Sequence, residues 1–132
     1  MDAESIIVTS DAGVMCARQK GRELAMVIGI SGSDLTLMAT AISEIARNIV
    51  QYAGRGEIEF RNVVRGGKRG LMIIARDCGP GIPDIAQAMQ DGYTTSRGMG
   101  LGLPGARRLM DDFKIVSEVG KGTTISMVKW EP

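Results

Sequence analysis

The sequence predicts an α+β fold, a two-layer sandwich with helices on one face of a mixed β-sheet. Two observations carry that expectation. Apolar spacings of period two and period 3.6 succeed one another as β-α-α-β-β-(α)-loop-α-β-β, which is not the strict strand–helix alternation of a doubly wound sheet. The central helical stretch also has an apolar stripe on one side only, so a second layer must cover it. A chain of 132 residues with no internal repeat or low-complexity tract is expected to form one domain, residues 1–132.

In order, residues 5–9 form a short β-type run, and Ser10-Asp11 is a helix-capping pair. Val14, Ala17, Gly21, Leu24 and Ile28 then mark one face of a helix closed near Gly29. The central helix follows, capped by Ser33 or Asp34, with Leu35, Met38, Ile42, Ile45 and Ile49 on its core face and its end near Gly54. Residues 57–63 alternate, residues 66–70 turn, and residues 71–75 are almost continuously apolar, which predicts an antiparallel hairpin with a more deeply buried second strand. A short helix is expected over residues 84–89 and a polar loop over 91–100. Pro104 opens a helix over 103–110, and strands at 113–117 and 123–130 close the domain around Gly120-Lys121-Gly122.

Composition narrows the functional classes. Sixteen basic and fifteen acidic side chains leave a net charge of +1 without a block of either sign, so no nucleic-acid or membrane-surface partner is expected. No long apolar run or charged-then-apolar amino terminus is present, and Cys16 and Cys78 have no metal-ligand spacing; a cytoplasmic protein is expected. With no histidine, Ser/His and Cys/His catalytic pairs and a histidine phosphoacceptor within the chain are excluded.

Chemistry concentrates in four stretches. Glu44 and Asn48, one helical turn apart, lie one above the other on a face away from the apolar stripe. A carboxylate above an amide oxygen suits a hydrated Mg²⁺ and a hydroxyl that must lose a proton; solvated surface residues would look the same. Asp77 stands where the apolar strand stops, followed by Gly79 and Gly81. That is turn chemistry, and equally a carboxylate that accepts from an exocyclic amino group beside backbone able to approach a flat ring. Gly98, Gly100, Leu101 and Gly102 lead into the Pro104 helix, where bare N–H groups and a helix dipole favour phosphate. The G-x-G-x-x-G spacing of Gly100, Gly102 and Gly105 is not a dinucleotide fingerprint, since no strand leads into it, and no Gly-Lys-Ser/Thr follows to make a Walker A loop. Arg97 is a solvated side chain unless a phosphate is present for it to reach. Gly120-Lys121-Gly122-Thr123 alone is a hairpin turn.

The order Glu44-x-x-x-Asn48, Asp77-x-Gly79-x-Gly81, Gly98-x-Gly100-x-Gly102 and Gly120-x-Gly122-Thr123 resembles the four boxes of the GHKL (Bergerat-fold) nucleotide-binding superfamily. Within it, the chain looks most like the bacterial serine/threonine switch kinases of the RsbT and anti-sigma-factor type. The resemblance implies ATP as substrate under a lid over residues 91–102, Mg²⁺ held through Asn48, Glu44 as base or polarising group, and adenine read by Asp77 with help from the Thr123 hydroxyl. It further implies a STAS-domain substrate within a stressosome and a downstream phosphatase that the released kinase activates. The alternative it leaves open is a nucleotide-switched protein of anti-sigma type that sequesters a partner without essential catalysis.

Overall fold

The computed structural model describes residues 3–82, 85–89 and 102–132. The expected loop over 91–100, with Arg97, Gly98, Gly100 and Leu101, lies outside the described residues. The elements are β1 (Ala3–Val8), α1 (Asp11–Val27), α2 (Gly32–Tyr52), β2 (Gly56–Arg65), β3 (Lys68–Asp77), α3 (Ile85–Ala88), α4 (Gly102–Leu109), β4 (Asp112–Glu118) and β5 (Gly122–Trp130). Helix α2 starts slightly earlier than its capping residues suggest: Ser31 is the N-cap, and its side chain makes no capping hydrogen bond.

The five strands form one sheet in the order β1-β2-β3-β5-β4, with every adjacent pair antiparallel. This corrects the expected mixed sheet. Strands β3 and β4, joined through α4, do run in the same direction, but β5 folds back between them and takes the pairing each would have offered the other. Likewise β2, reached after α1 and α2, returns antiparallel to β1. The β2–β3 hairpin turns on Gly66 and Gly67, both at positive φ (59° and 81°), the backbone a two-residue primed turn requires.

Strand alternation sorts the sheet into faces. Inner-face rows read Ile6–Ile58–Ala75–Ile125–Ile115 and Glu4–Phe60–Ile73–Met127–Phe113 across the strands. Against them pack Met38, Ile42, Ile45 and Ile49 of α2, Val14 and Ala17 of α1, and Leu103 and Ala106 of α4, in one core cluster. The helices therefore cover one face, as expected. Gly21 lets α1 approach α2 until its backbone lies against the Ile42 side chain. Ile42 is fully buried, and Ile42→Ala would cost roughly 2–5 kcal/mol. No helix among the described residues is long and apolar enough to cross a membrane.

Helix α2 departs from the expected one-sided pattern. With α1 and α4 flanking it above the sheet, Ala41, Ser43, Glu44 and Ala46 are buried along with the apolar stripe.

Candidate functional site

The last inner-face row of the sheet is different in kind from the rows beside it. Across the strands it reads Val8–Gly56–Asp77–Thr123–Ser117, so the apolar surface stops and a carboxylate and two hydroxyls take its place. Asp77 is half-buried and Thr123 is 5% exposed. Period-two alternation alone puts them there: Ile73, Ala75 and Asp77 share a face, as do Ile125 and Thr123, and Ile115 and Ser117.

The backbone after Asp77 is held on two sides. Gly79 N–H donates to Asp77 Oδ1 at 2.9 Å, an Asx turn that leaves Oδ2 with no hydrogen bond to the described residues. Gly79 also lies so close to the end of α2 that a Cβ would sit 2.6 Å from the Ala53 Cβ, so any side chain would push the loop off the helix. On the other side, Gly120 N–H donates to Pro80 O at 2.8 Å and Ile82 N–H to Ser117 Oγ at 2.7 Å. Gly81 has φ +82° and its backbone abuts the Glu118 carbonyl, which excludes any other residue without a shift. Residues 77–82 thus bridge α2 and the β4–β5 turn.

Ser117 is the residue sequence reasoning missed. Besides Ile82 N–H, its hydroxyl contacts Gly122 O at 3.2 Å and Thr123 Oγ1 at 2.8 Å. The signal was available, since Phe113, Ile115 and Ser117 alternate toward the inner face, but a serine at a strand end is otherwise ordinary.

On α2, Glu44 is 9% exposed rather than solvated, because α4 packs over it. Its Oε1 accepts from the Gly102 N–H at 3.0 Å, at the start of α4, and its Oε2 accepts from Arg47 Nη1 at 2.9 Å. Glu44 therefore serves here as the anionic cap of α4, at the end where the helix dipole favours negative charge. Asn48 is half-buried one turn further on, and its side chain forms no hydrogen bond with the described residues. Asp77, Gly79, Gly81 and Thr123 are thus brought together at one end of the sheet beside the end of α2, and Glu44 and Gly102 are joined directly.

These groups fit a nucleotide and a hard cation. Asp77 Oδ2, without a hydrogen bond among the described residues, can accept from an amino group, and the Gly102 N–H, here held by Glu44 Oε1, can donate to an anion. Among the described residues no three His, Cys, Asp or Glu side chains cluster, so a cation here would draw on the Asn48 amide oxygen together with water and phosphate oxygens, as Mg²⁺ commonly does.

Residues 10–129 match the family model of the histidine kinase-like ATPase domain. The chain is 48% identical over 129 residues to the serine/threonine-protein kinase RsbT of Bacillus subtilis (strain 168), covering 98% of this chain and 97% of that one. It is 32% identical over 103 residues to the anti-sigma F factor of Geobacillus stearothermophilus, covering 73% and 69% respectively. Among solved structures it resembles the mycobacterial sensor histidine kinase MprB (TM-score 0.57, 17% identity, 98% of each chain). The catalytic domain of the histidine kinase ThkA is similar as well (TM-score 0.54, 15% identity, 96% and 95%). At such identities the two structures speak for the fold alone.

Proposed function

Since the chain belongs to the histidine kinase-like ATPase domain family, we propose that it is an ATP-dependent serine/threonine protein kinase of a partner-switching pathway. Its substrate is a serine or threonine hydroxyl on a STAS-domain protein of a stressosome, and its release activates a downstream phosphatase. The observation that carries this reading is the pairing of Asp77 with Thr123 at the sheet end, with Glu44 held at the start of α4. The near full-length similarity to a serine/threonine-protein kinase supports the choice of acceptor.

ATP binds with its amino group on Asp77 Oδ2 and its phosphates toward Gly102. The sequence assigns Arg97, Gly98, Gly100 and Leu101, which lie outside the described residues, to the same ligand. The Asn48 oxygen would hold Mg²⁺, whose charge, when bound, offsets that of the phosphates. A phosphate oxygen that takes over the Gly102 N–H leaves Glu44 Oε1 open toward the reacting hydroxyl. The partner's hydroxyl oxygen then bonds to the γ-phosphorus, the bond from that phosphorus to the β–γ bridging oxygen breaks, ADP leaves, and Glu44 accepts the hydroxyl proton. Arg47 keeps its hold on Oε2 and fixes the orientation of the carboxylate. Most of the acceleration comes from alignment, so turnover without a docked partner is slow.

Incubation with ATP, Mg²⁺ and candidate STAS partners, followed by intact mass measurement, tests this directly: one phosphate gained by a partner is expected, and its absence from every partner that binds would refute the kinase reading. The similarity to an anti-sigma F factor favours one other reading, sequestration of a partner under nucleotide control. Under it, Glu44→Ala would leave the physiological output intact.

A further inference from the structure

We infer that Ser117 fixes the hydrogen-bonding polarity of Thr123, and so makes the end of the sheet selective for a purine bearing an amino group over one bearing a carbonyl oxygen. The inference rests on the ATP reading and adds a positioning residue to it.

A serine hydroxyl has one proton to donate and two lone pairs that accept. Ser117 Oγ has three neighbours: Ile82 N–H at 2.7 Å, Gly122 O at 3.2 Å and Thr123 Oγ1 at 2.8 Å. The Ile82 N–H can only donate and the Gly122 carbonyl can only accept. One assignment satisfies all three contacts: Ser117 accepts from Ile82, donates to Gly122, and accepts from Thr123. The Thr123 proton is then committed to Ser117, and its oxygen can offer a ligand nothing but lone pairs.

Thr123 is the cross-strand partner of Asp77, with side chains roughly 5 Å apart at Cβ on the same face. Asp77 Oδ2 is also an acceptor. The row therefore presents two acceptors side by side, and an exocyclic amino group carries two hydrogens to meet them. A carbonyl oxygen in the same position faces two lone-pair donors with no proton between them, and one desolvated, unpaired acceptor of this kind is costly. Without Ser117, the Thr123 hydroxyl is free to rotate and donate, and part of that discrimination disappears. Asp77 would still oppose the carbonyl, so the loss is partial.

The test is calorimetric titration of ATP and of inosine triphosphate, which replaces the amino group by a carbonyl, into wild type, Ser117→Ala and Ser117→Thr, with thermal melts alongside. Wild type is expected to prefer ATP, Ser117→Ala to narrow the ATP-to-ITP affinity ratio by about three- to ten-fold, and Ser117→Thr, which keeps the hydroxyl, to restore it. A purely structural role would weaken both nucleotides alike and leave the ratio unchanged; an unchanged ratio in a wild type that prefers ATP overturns this inference alone. Should Ser117→Ala fail to fold, Thr123→Val keeps the Ile82 and Gly122 contacts of Ser117 and is expected to narrow the ratio equally, with an unchanged ratio again decisive against it. A wild type that binds neither nucleotide overturns the ATP reading and this inference with it.

Discussion

Both ends of the sheet's inner face carry polar groups, but among the described residues one end is closed on itself and the other is not. At the far end Lys129, 8% exposed, donates to Leu109 O at 3.2 Å and lies 3.7 Å from both Asp34 and Asp111. Nearby, Asp111 accepts from Trp130 N–H, and Arg65 stacks over the Trp130 ring while reaching Asp112. A cavity of about 410 Å³ borders this end, lined in part by Arg65, Lys68 and Lys129. Yet its buried cation is fully engaged. At the Asp77 end the backbone is equally well tied, but Asp77 Oδ2 and the Asn48 side chain are left without hydrogen bonds among the described residues. Polarity in a buried row does not distinguish a binding end from a stabilising one. Under the proposed ATP reading, unspent hydrogen-bonding capacity does.

Four substitutions break or sharpen that contrast. Glu44→Ala is expected to reduce phosphoryl transfer to a partner by about 10²–10⁴-fold while ATP affinity holds, read by radioactive labelling beside calorimetry; undiminished labelling would remove Glu44 from the chemistry. Asp77→Asn turns an acceptor into a partial donor at the open end and is expected to weaken ATP binding by roughly 2–3 kcal/mol with little change in melting temperature. Normal affinity would refute the amino-group contact. Lys129→Met, at the closed end, is expected to do the reverse, lowering stability by about 1–2 kcal/mol in urea titration without altering ATP affinity. The figure is below that for a fully buried pair because Asp34 and Asp111 are about two-fifths exposed.

The smallest effect belongs to the outer face. There the hydrogen bonds from Arg61, and then Arg76, hold the Glu59 carboxyl below its ordinary value of 4.5. A depressed folded-state value stabilises the protein above pH 4.5, and that contribution is lost as pH falls through the lower, folded value. Glu59→Gln should therefore flatten the acid limb of stability, visible in urea midpoints on either side of that window, and leave transfer untouched. An acid limb identical to wild type would show that the pair contributes nothing.

What was legible beforehand follows local geometry. Ile42, Ile45 and Ile49 share a face at 100° per residue, and Ile58 with Phe60 alternates at period two, so helix, strand and core residue were readable from spacing. The position of Asp77 at a strand end followed from where the apolar run stopped. What depended on distant segments was not readable. Glu44 is buried because α4, more than fifty residues later, lies over it, and nothing in its own turn of helix announces that. The all-antiparallel sheet depended on β5 inserting between β3 and β4, a matter of tertiary order that hairpin chemistry does not encode. Ser117 meets partners on two other segments, at Ile82 and at Gly122-Thr123, and only their convergence sets it apart from any other strand serine.

The register Ala3↔Arg61 has a kinetic corollary. The β2–β3 and β4–β5 pairs close over turns of a few residues, whereas β1 waits for a partner almost sixty positions away, with two helices to be laid down in between. Loop-closure entropy and contact order then make β1 the last strand to gain protection during refolding, and pulse-labelled hydrogen exchange should find its amides lagging those of the hairpins.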